Sequence, residues 1–504
     1  AAFLPLLFWP GMVGEFMKYL PITLIAVLSA SLFMALIFVP TLGAVFGKSG
    51  GVVDSAEMQA LSAAEHGDFA KASPFTRSYL AILGKALNHP AKVVLMAVVV
   101  LISVQVIYGK YGKGVEFFPS VDPENVQLYV HGRGNLSIDE RDALLQEVEN
   151  EVLALQAERG EFHSIYARSL TASGTENDDE PEGLVGIISL EFVDWSTRRS
   201  ADQIIQDIRN RTAYLAGIQV EPRKEVFGPP VGKPIQVQIG SDDPKLIEPA
   251  VQQVLAGLEE IGGFQDIEDG KPIPGIEWEL RIDRAQAAKF GADVALIGQY
   301  VRMITNGMKL GEYRPDYSDE EVDLVVRLPE QYRTTEQLDR FRVQTTYGQV
   351  PISNFVTITP IQKISLLRRV DRQRVMTVKA NLETGLLPDD KVREIRSWME
   401  KQTFDPNVEI TFKGEDEEQK AASEFLGKAF AVALFLMAII LVTQFNSFYS
   451  AFLILTAVIM STIGVMIGLL ITNQAFSIIM SGIGVIALAG IVVNNNIVLI
   501  DTFD

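Results

Sequence analysis

Five long apolar runs are the strongest constraint on what this chain can fold into. Each consists mostly of Ile, Val, Leu, Ala, Phe, Met and Gly, and an apolar stub at residues 1–8 precedes them; the runs occupy residues 22–46, 91–108, 425–443, 452–471 and 478–500. About 20 such residues in a helix cross the ~30 Å hydrocarbon core of a bilayer. A water-soluble fold does not need so many, so the chain is predicted to be a polytopic α-helical membrane protein.

The charged residues are largely separate from the apolar runs. The net charge is −19, and almost all of it lies between Lys110 and Lys428, a stretch about two domains long. The acidic balance argues against a nucleic-acid partner, and the absence of cysteine excludes disulfides and thiolate metal sites. The sequence has no glycine loop with a lysine that could hold phosphates, so ATP is not expected to act here and no cofactor is predicted.

The loop between the first two runs sets the expected topology. Residues 75–87 place apolar side chains on one side at helical spacing, which predicts a short helix lying in the plane of the membrane interface. The loop is moderately basic, which favours the cytoplasmic side. The next run then leads outward, and the acidic stretch is expected outside the membrane.

The acidic stretch has a repeated pattern of strands and helices. Its first part predicts a βαββαβ unit, a split ferredoxin-like arrangement, with strands at 126–130, 162–167, 185–192 and 218–220 and helices at 138–156 and 201–215. A second unit is predicted in two pieces, at 235–267 and 375–412. The roughly one hundred residues between these pieces, with a helix predicted at 284–304, are interpreted as an inserted subdomain.

Four local segments resemble one transporter family. They are SLFMALIFVPTLGAV at 31–45, GVEFFPSVD at 114–122, GEDEEQKAASEFLGKAFAVALFLMAIILVTQFNSF at 414–448 and GIVVNNNIVLID at 490–501. With the paired spans and the duplicated modules, they resemble the resistance-nodulation-division (RND) efflux transporters of the hydrophobic and amphiphilic efflux type. The resemblance covers essentially the whole chain.

The resemblance implies a fold and boundaries. The fold class is a polytopic α-helical membrane protein with a large α+β periplasmic region, made of ferredoxin-like βαββαβ porter modules and an inserted docking subdomain. The expected segments are the end of transmembrane helix five at 1–13, helix six at 22–47, a cytoplasmic loop at 48–89 with an interfacial helix at 75–87, helix seven at 90–110, porter module one at 115–224, porter module two at 225–272 and 371–413, the docking subdomain at 273–370, and helices eight, nine and ten at 424–443, 449–471 and 478–501.

The resemblance also implies a function. It is proton-driven, multidrug-type export of amphiphilic small molecules by the inner-membrane pump of a tripartite system in the Gram-negative envelope. The implied partners are protons, membrane lipid, a periplasmic adaptor protein, an outer-membrane channel and two further copies in a homotrimer. Because the chain starts within an apolar run and stops directly after a span, we expect it to be an internal fragment.

Three consecutive amides lie inside the last apolar run. Asn494, Asn495 and Asn496 are polar at membrane depth, where polar side chains are costly and indicate a functional site or a helix contact. In many members of the family a lysine stands at the position of Asn494 and contacts acidic residues of helix four. Asn494 and Asn495 are therefore candidates for hydrogen bonding to a titrating carboxylate in a proton relay, and interhelical packing is the alternative. Asp501 is interpreted as a solvated end of the span.

The segment 171–182, TASGTENDDEPE, stands where family members carry a switch loop next to the drug pocket. Its Thr171, Ser173, Gly174 and Glu176 are candidates for the substrate path. The segment is acidic and has no aromatic residue, unlike the loops of pumps for aromatic drugs. A solvated acidic turn is the alternative interpretation.

Two other functions remain open. One is a heavy-metal exporter of the same fold, although no metal site is predicted: the four histidines are scattered and the methionines of the acidic stretch are not clustered (His66, His89, His131 and His163; Met303, Met308, Met376 and Met399). The other is a membrane scaffold that binds partners through its periplasmic domains without transporting anything.

Overall fold

The structure of the protein is a computed structural model that divides into two units. It describes residues 2–46, 74–119, 121–134, 136–170, 183–225, 228, 232–271, 276–305, 307–316, 321–329, 332–333, 340–362 and 367–503. The larger unit comprises Ala1–Gly132, Ser137–Lys271 and Arg368–Asp504, and the smaller unit comprises Arg133–Leu136 and Pro272–Leu367.

The first membrane helix starts earlier than the sequence predicted. The stub forms a 3-10 turn at Leu4–Phe8, and helix α1 then runs over Gly11–Phe46 instead of starting near residue 22. Pro21 has no N–H to donate to the carbonyl of Met17, and the regular helix is interrupted next to that residue, at Lys18. The interruption accommodates the proline within the helix. Helix α2 follows at Pro74–Leu87 and helix α3 at Pro90–Tyr111.

A four-stranded antiparallel sheet with two helices follows α3 and the short strand β1 (Val115–Glu116). We call it module one; its elements are β2 (Asn125–Gly132), α4 (Ile138–Arg159), β3 (Phe162–Ser169), β4 (Leu184–Phe192), α5 (Ala201–Thr212) and β5 (Ile218–Lys224). The strand order is β3-β4-β2-β5. Helix α4 begins with a capping box, in which Ser137 and Glu140 bond to each other's backbone N–H. The core forms where alternate residues of β2, Val126, Leu128 and Val130, meet the helices.

The chain then begins a second sheet, which it completes only after an insertion. The first elements are β6 (Ile235–Ser241), α6 (Ile247–Ile261) and β7 (Phe264–Glu268). The smaller unit intervenes, with β8 (Ile276–Ile282), α7 (Arg284–Lys289), α8 (Val294–Thr305), β9 (Met308–Tyr313), β10 (Val322–Val326), β11 (Arg342–Thr345), β12 (Gly348–Pro351) and β13 (Val356–Gln362). Its strands pair as β8 with β13, β9 with β10 and β11 with β12, all antiparallel.

The single helix predicted at 284–304 is two helices in the structure. Gly291, two residues after the end of α7, has a φ of 63°. The Asp293 side chain accepts a hydrogen bond from the N–H of Ala295 at the start of α8. A left-handed glycine stops a helix and an aspartate starts the next one. Apolar spacing continues through both helices, which is why periodicity alone did not show the break.

The second sheet is completed by β14 (Arg368–Val370), β15 (Gln373–Leu382), α9 (Pro388–Met399) and β16 (Val408–Lys413). We call this sheet with α6 and α9 module two. Its strands pair β7 with β15, β15 with β6 and β6 with β16. That is the pairing scheme of module one, so the two modules are structural repeats. Module two has its own apolar core, which includes Val237, Val251 and Val378.

Three membrane helices end the described chain: α10 (Glu415–Phe445), α11 (Phe448–Thr472) and, after the short strand β17 (Phe476–Ser477), α12 (Ile478–Phe503). With α1 and α3, they are the five helices among the described residues that are long and apolar enough to cross a membrane. Asn446 and Asn473 end α10 and α11 in the left-handed conformation, which asparagine tolerates better than most residues. The three helices pack on one another through residues such as Met437, Ile454 and Val493.

Gly257 on α6 lies against Trp398 on α9, so a substitution at Gly257 tests how the two helices pack. A Cβ atom at Gly257 would lie 2.5 Å from Cη2 of Trp398, whose ring is held because its Nε1 donates to Glu260 at 2.8 Å. Gly257→Ala is therefore expected to lower the free energy of unfolding by about 1–3 kcal/mol, and so to lower Tm. The measurement is thermal unfolding of the purified full-length protein in detergent. Gly298→Ala, in α8 with open space at the Cβ position, is the control and should not lower Tm; equal Tm values for both variants would contradict this packing.

Candidate functional site

The three amides of the last span point in different directions. Asn494 and Asn495 are exposed on α12, whereas Asn496 is half-buried and its Nδ2 donates to the carbonyl of Val492 at 3.0 Å. Successive helical residues are about 100° apart, so the amides cannot share one neighbour. Neither Asn494 nor Asn495 forms a side-chain hydrogen bond with another described residue. Both amides therefore lie on helix surface that the described chain leaves uncovered, and Asp501 is exposed in the last turns.

The four substrate-path candidates cannot be placed. Thr171, Ser173, Gly174 and Glu176 lie outside the described residues, between the ends of β3 and β4. Within the described ranges, no group of three His, Asp or Glu side chains is arranged to hold a metal ion. His66 is also outside those ranges, and His131 lies 3.2 Å from a carboxylate oxygen of Glu221.

The structure shows a junction that the sequence patterns did not predict, where membrane helix α10 meets module two. Asp416, in the first turn of α10, accepts from Nη2 of Arg396 on α9 at 2.8 Å, and its side chain is only 11% exposed. The guanidinium of Arg396 also lies 4.5 Å from the ring centroid of Phe412 on β16. One turn further along, Nε2 of the buried Gln419 donates to Asp389 at 3.2 Å. Two successive turns of α10 are thus bound to the first and last parts of α9.

A second set of contacts joins the chain that follows α3 to the chain that precedes α12. Strands β1 and β17 pair in parallel, and the Ser477 hydroxyl donates to the carbonyl of Phe117 at 3.1 Å. The Phe117 ring is buried in the apolar cluster that contains Leu6, Leu426 and Ile479. The N–H of Phe117 donates to the carboxylate of Glu415. The chain leaving α3, the chain entering α12 and the start of α10 therefore meet at Phe117.

Sequence patterns carry little signal for this junction. Two-residue strands such as β1 and β17 are too short for a period, and the contacts of Phe117 with Ser477 join residues 360 positions apart. The one usable signal is the segment GVEFFPSVD at 114–122. Hydrogen bonds and a buried aromatic side chain thus connect α10 with α9 and with the chain around β1.

The comparison with protein families identifies the chain. The family model "AcrB/AcrD/AcrF family" matches residues 1–504. The chain therefore belongs to the AcrB/AcrD/AcrF family of RND efflux transporters, as its resemblance predicted, and it is a multi-pass inner-membrane protein. Members of this family are transporters, not enzymes, and RND pumps generally form trimers and work with adaptor and outer-membrane channel partners.

Individual relatives are distant but match along the whole chain. The chain is 25% identical over 522 residues to the nickel-cobalt-cadmium resistance protein NccA of Alcaligenes xylosoxydans xylosoxydans, covering 99% of this chain and 46% of the relative. It is 24% identical over 519 residues to the multidrug resistance protein MdtC of Edwardsiella ictaluri, covering 99% of this chain and 47% of the relative. The chain spans about half the length of the curated relatives it matches.

Solved structures share the fold. An X-ray crystal structure of a heavy metal efflux pump superposes with a TM-score of 0.72 at 21% identity, over 98% of this chain and 49% of that one. A second crystal form of a heavy metal efflux pump gives a TM-score of 0.70 at 20% identity. At this identity the likeness establishes the RND fold alone.

Glu116 gives the junction a testable pH dependence. Burial raises the pKa of the half-buried Glu116 carboxyl above its ordinary value, and Lys113 opposes the rise only in part. Because the folded state binds this proton more tightly than the unfolded state, stability is lost as the pH rises through the window above about 4.5. Glu116→Gln removes the charge. Its Tm is expected to exceed that of the wild type near pH 7, and the difference should disappear near pH 4, as measured by thermal unfolding of the full-length protein. A difference that does not change with pH would contradict the assignment.

Proposed function

We propose that this chain is about half of the inner-membrane pump of a proton-driven export system, and that the cargo of the pump is divalent transition-metal cations. The observation that supports this cargo is the set of relatives that match 99% of this chain. Three are named for metal resistance, with nickel, cobalt, zinc and cadmium in the names, and a fourth is named as a cation efflux system protein. The sequence alone favoured amphiphilic compounds, and the relatives support the metal alternative better.

The acidic segment 171–182 supports a cationic cargo. It carries five carboxylates in twelve residues, Glu176, Asp178, Asp179, Glu180 and Glu182, and no aromatic side chain. Such a segment would contribute little binding affinity for an apolar drug. A concentration of negative charge attracts cations and offers them oxygen ligands. We place the cargo path here, with Thr171, Ser173, Gly174 and Glu176 as its candidates. Because the segment lies outside the described residues, this placement rests on composition and on the resemblance.

The proposed proton coupling uses the amides of α12. In a full-length pump, Asn494 and Asn495 would hydrogen-bond a titrating carboxylate on another helix, since the described residues leave their surface of α12 uncovered. Plain interhelical hydrogen bonding, at about 0.6–2 kcal/mol per contact, is the competing role. Protonation of the carboxylate changes which helix packing is favoured, and the two packings differ in the position of α10.

Helix α10 then carries the movement to module two. The Asp416–Arg396 ion pair and the hydrogen bond from Gln419 to Asp389 bind it to α9, so a shift of α10 along its axis moves the module. We further propose that the smaller unit is the docking subdomain for the periplasmic adaptor and the outer-membrane channel, and that the pump acts as a homotrimer.

A second candidate cargo is amphiphilic small molecules. It is supported by relatives at nearly the same identity that are named for multidrug resistance, MdtC of Proteus mirabilis at 23% and of Edwardsiella ictaluri at 24%. The scaffold alternative has less support, because NccA and both MdtC proteins carry names that describe resistance.

The test compares metals with amphiphiles in one strain. Deletion of the intact gene is expected to lower the concentrations of nickel, cobalt, zinc or cadmium that permit growth, and the wild-type gene should restore them. A gene encoding Glu176→Gln, Asp178→Asn and Asp179→Asn should fail to restore metal resistance, because the cargo path has lost three charges. The matched control, Glu424→Gln, removes one partner of an exposed surface ion pair with Lys428 and should restore growth.

The other outcomes separate the alternatives. Unchanged metal tolerance with new sensitivity to dyes and detergents would overturn the metal proposal in favour of the amphiphilic one. Unchanged tolerance to both panels would overturn transport altogether and favour the scaffold.

A further inference from the structure

The two modules are joined by charges. Their apolar cores are separate clusters that share no residue, one around Leu128 and Ile188 and the other around Val237 and Val378. A set of ion pairs crosses between β5 of module one and β7 of module two, beside the segment that links β5 to β6. Each module can therefore keep its own core intact while its orientation relative to the other changes.

Lys233 is at the centre of these ion pairs. It lies in the linking segment, and only 4% of its side chain is exposed. Its ammonium is 3.1 Å from Glu221 Oε1 on β5 and 2.8 Å from Glu268 Oε1 on β7, and it donates to the carbonyl of Asp266 on β7 at 2.5 Å. An ammonium has three N–H donors, and here each has an acceptor. One acceptor belongs to module one and two belong to module two.

Two arginines of module one also bind carboxylates of module two. Arg223 on β5 donates from Nε to Glu221 at 2.8 Å and from Nη2 to Glu268 at 3.3 Å. Arg209 on α5 reaches Asp266 with both Nη atoms, at 2.9 and 2.5 Å. Asp266 holds a φ of 49°, an uncommon conformation for a residue other than glycine, and Asn381 Nδ2 donates to its second carboxylate oxygen at 3.1 Å. The strained residue is thus held from both modules.

The charges balance within this group, which we call the Lys233 network. Three carboxylates (Glu221, Asp266 and Glu268) face three cations (Arg209, Arg223 and Lys233), with the imidazole of His131 3.2 Å from Glu221. Buried charges are stable only when they are paired, and removing one member leaves an opposite charge uncompensated. The network is therefore expected to break as a unit.

The Glu221 carboxylate keeps its charge through ordinary changes of pH. Burial acts to raise the pKa of Glu221, but the hydrogen bond from His131 and the charges of Lys233 and Arg223 outweigh it and lower the pKa to about 2. A lowered pKa contributes stability above the ordinary value of 4.5, which is lost only as the pH falls towards 2. Glu221 therefore remains a charged partner for Lys233 and Arg223 near neutral pH.

We propose that the Lys233 network is a permanent ionic pivot between module one and module two. The modules turn about the contact between β5 and β7 when they change their mutual orientation, and they do not separate there. A pivot needs a contact that is strong, local and directional, and charge-assisted hydrogen bonds beside a covalent linker have these properties. The pivot is independent of the cargo; only its effect on transport rests on the proposed function.

The test measures the distance between the modules in the full-length protein. Spin labels are attached to cysteines introduced at Asn150 on α4 and Glu259 on α6, which are exposed; this chain has no cysteine of its own, and any in the rest of the protein is first replaced. Lys233→Met is expected to broaden or shift the distance distribution, because two carboxylates lose their shared cation. Lys224→Met is the matched control: Lys224 is on the same strand as Glu221, but its partner Asp202 lies within module one and both are exposed, so the distribution should match the wild type.

Distributions for Lys233→Met and Lys224→Met that both equal that of the wild type would overturn the pivot. If Lys233→Met does not fold, Glu268→Gln is measured in its place, because it neutralises a partly exposed carboxylate of the network in module two. A distance distribution equal to that of the wild type would then overturn the pivot. Under the proposed function, metal resistance should also fall at least tenfold in Lys233→Met and stay unchanged in Lys224→Met. A changed distance with unchanged resistance to every cargo tested would retain the pivot and reject the proposed function.

Discussion

The unbroken course of helix α10 from the membrane to module two is the constraint on which the rest of the larger unit depends. Hydrocarbon offers no partner for backbone N–H and C=O groups, so a spanning segment must bond them internally. Helix α10 has 31 residues, about 46 Å at 1.5 Å per residue, which is longer than the ~30 Å core. Its last two-thirds are apolar and its first turns are charged. One helix therefore packs in the membrane and binds α9 through Asp416 and Gln419.

Two sets of polar contacts, those of α10 with α9 and those of the Lys233 network, join module two to the rest of the larger unit. Module two is bound to α10 and to module one. The contact with α10 uses buried and partly buried polar groups, and the contact with module one uses paired charges. Apolar packing within each module keeps it rigid, because a packed core does not deform continuously. Packed modules joined by directional polar contacts are what the proposed conversion of helix displacement into domain reorientation requires.

The sequence predicted the strongly periodic elements well. Helix α4 was expected at 138–156 and runs over Ile138–Arg159, because its apolar spacing and its Ser137 and Glu140 cap act locally. Membership of the RND family was confirmed by the match over the whole chain. Local signals failed where the chain departs from a simple period: α1 passes through Pro21, and Gly291 divides one apolar pattern into α7 and α8.

Functional residues were harder to predict than elements. Asn494 and Asn495 were recognised because an amide is conspicuous in an apolar run, and their role remains a prediction. The sequence did not predict the Lys233 network because Glu221, Lys233 and Glu268 look like ordinary surface charges in sequence. Glu221 and Lys233 become buried, and all three come together, only where the two modules meet. The family resemblance implies an amphiphilic cargo, whereas the names of the relatives support metal cations, which the residues alone do not favour.

The most direct measurement of the central claim is proton-driven cargo flux through the full-length pump in proteoliposomes, compared between the wild type and an Asp416→Asn, Gln419→Leu double variant. The account predicts that the double variant folds and binds its partners but loses most of its flux at a given pH gradient, because α10 no longer moves module two. Glu424→Gln, which changes the same helix at an exposed position, should retain wild-type flux. Wild-type flux in the double variant would show that α10 does not transmit the movement and would contradict the account.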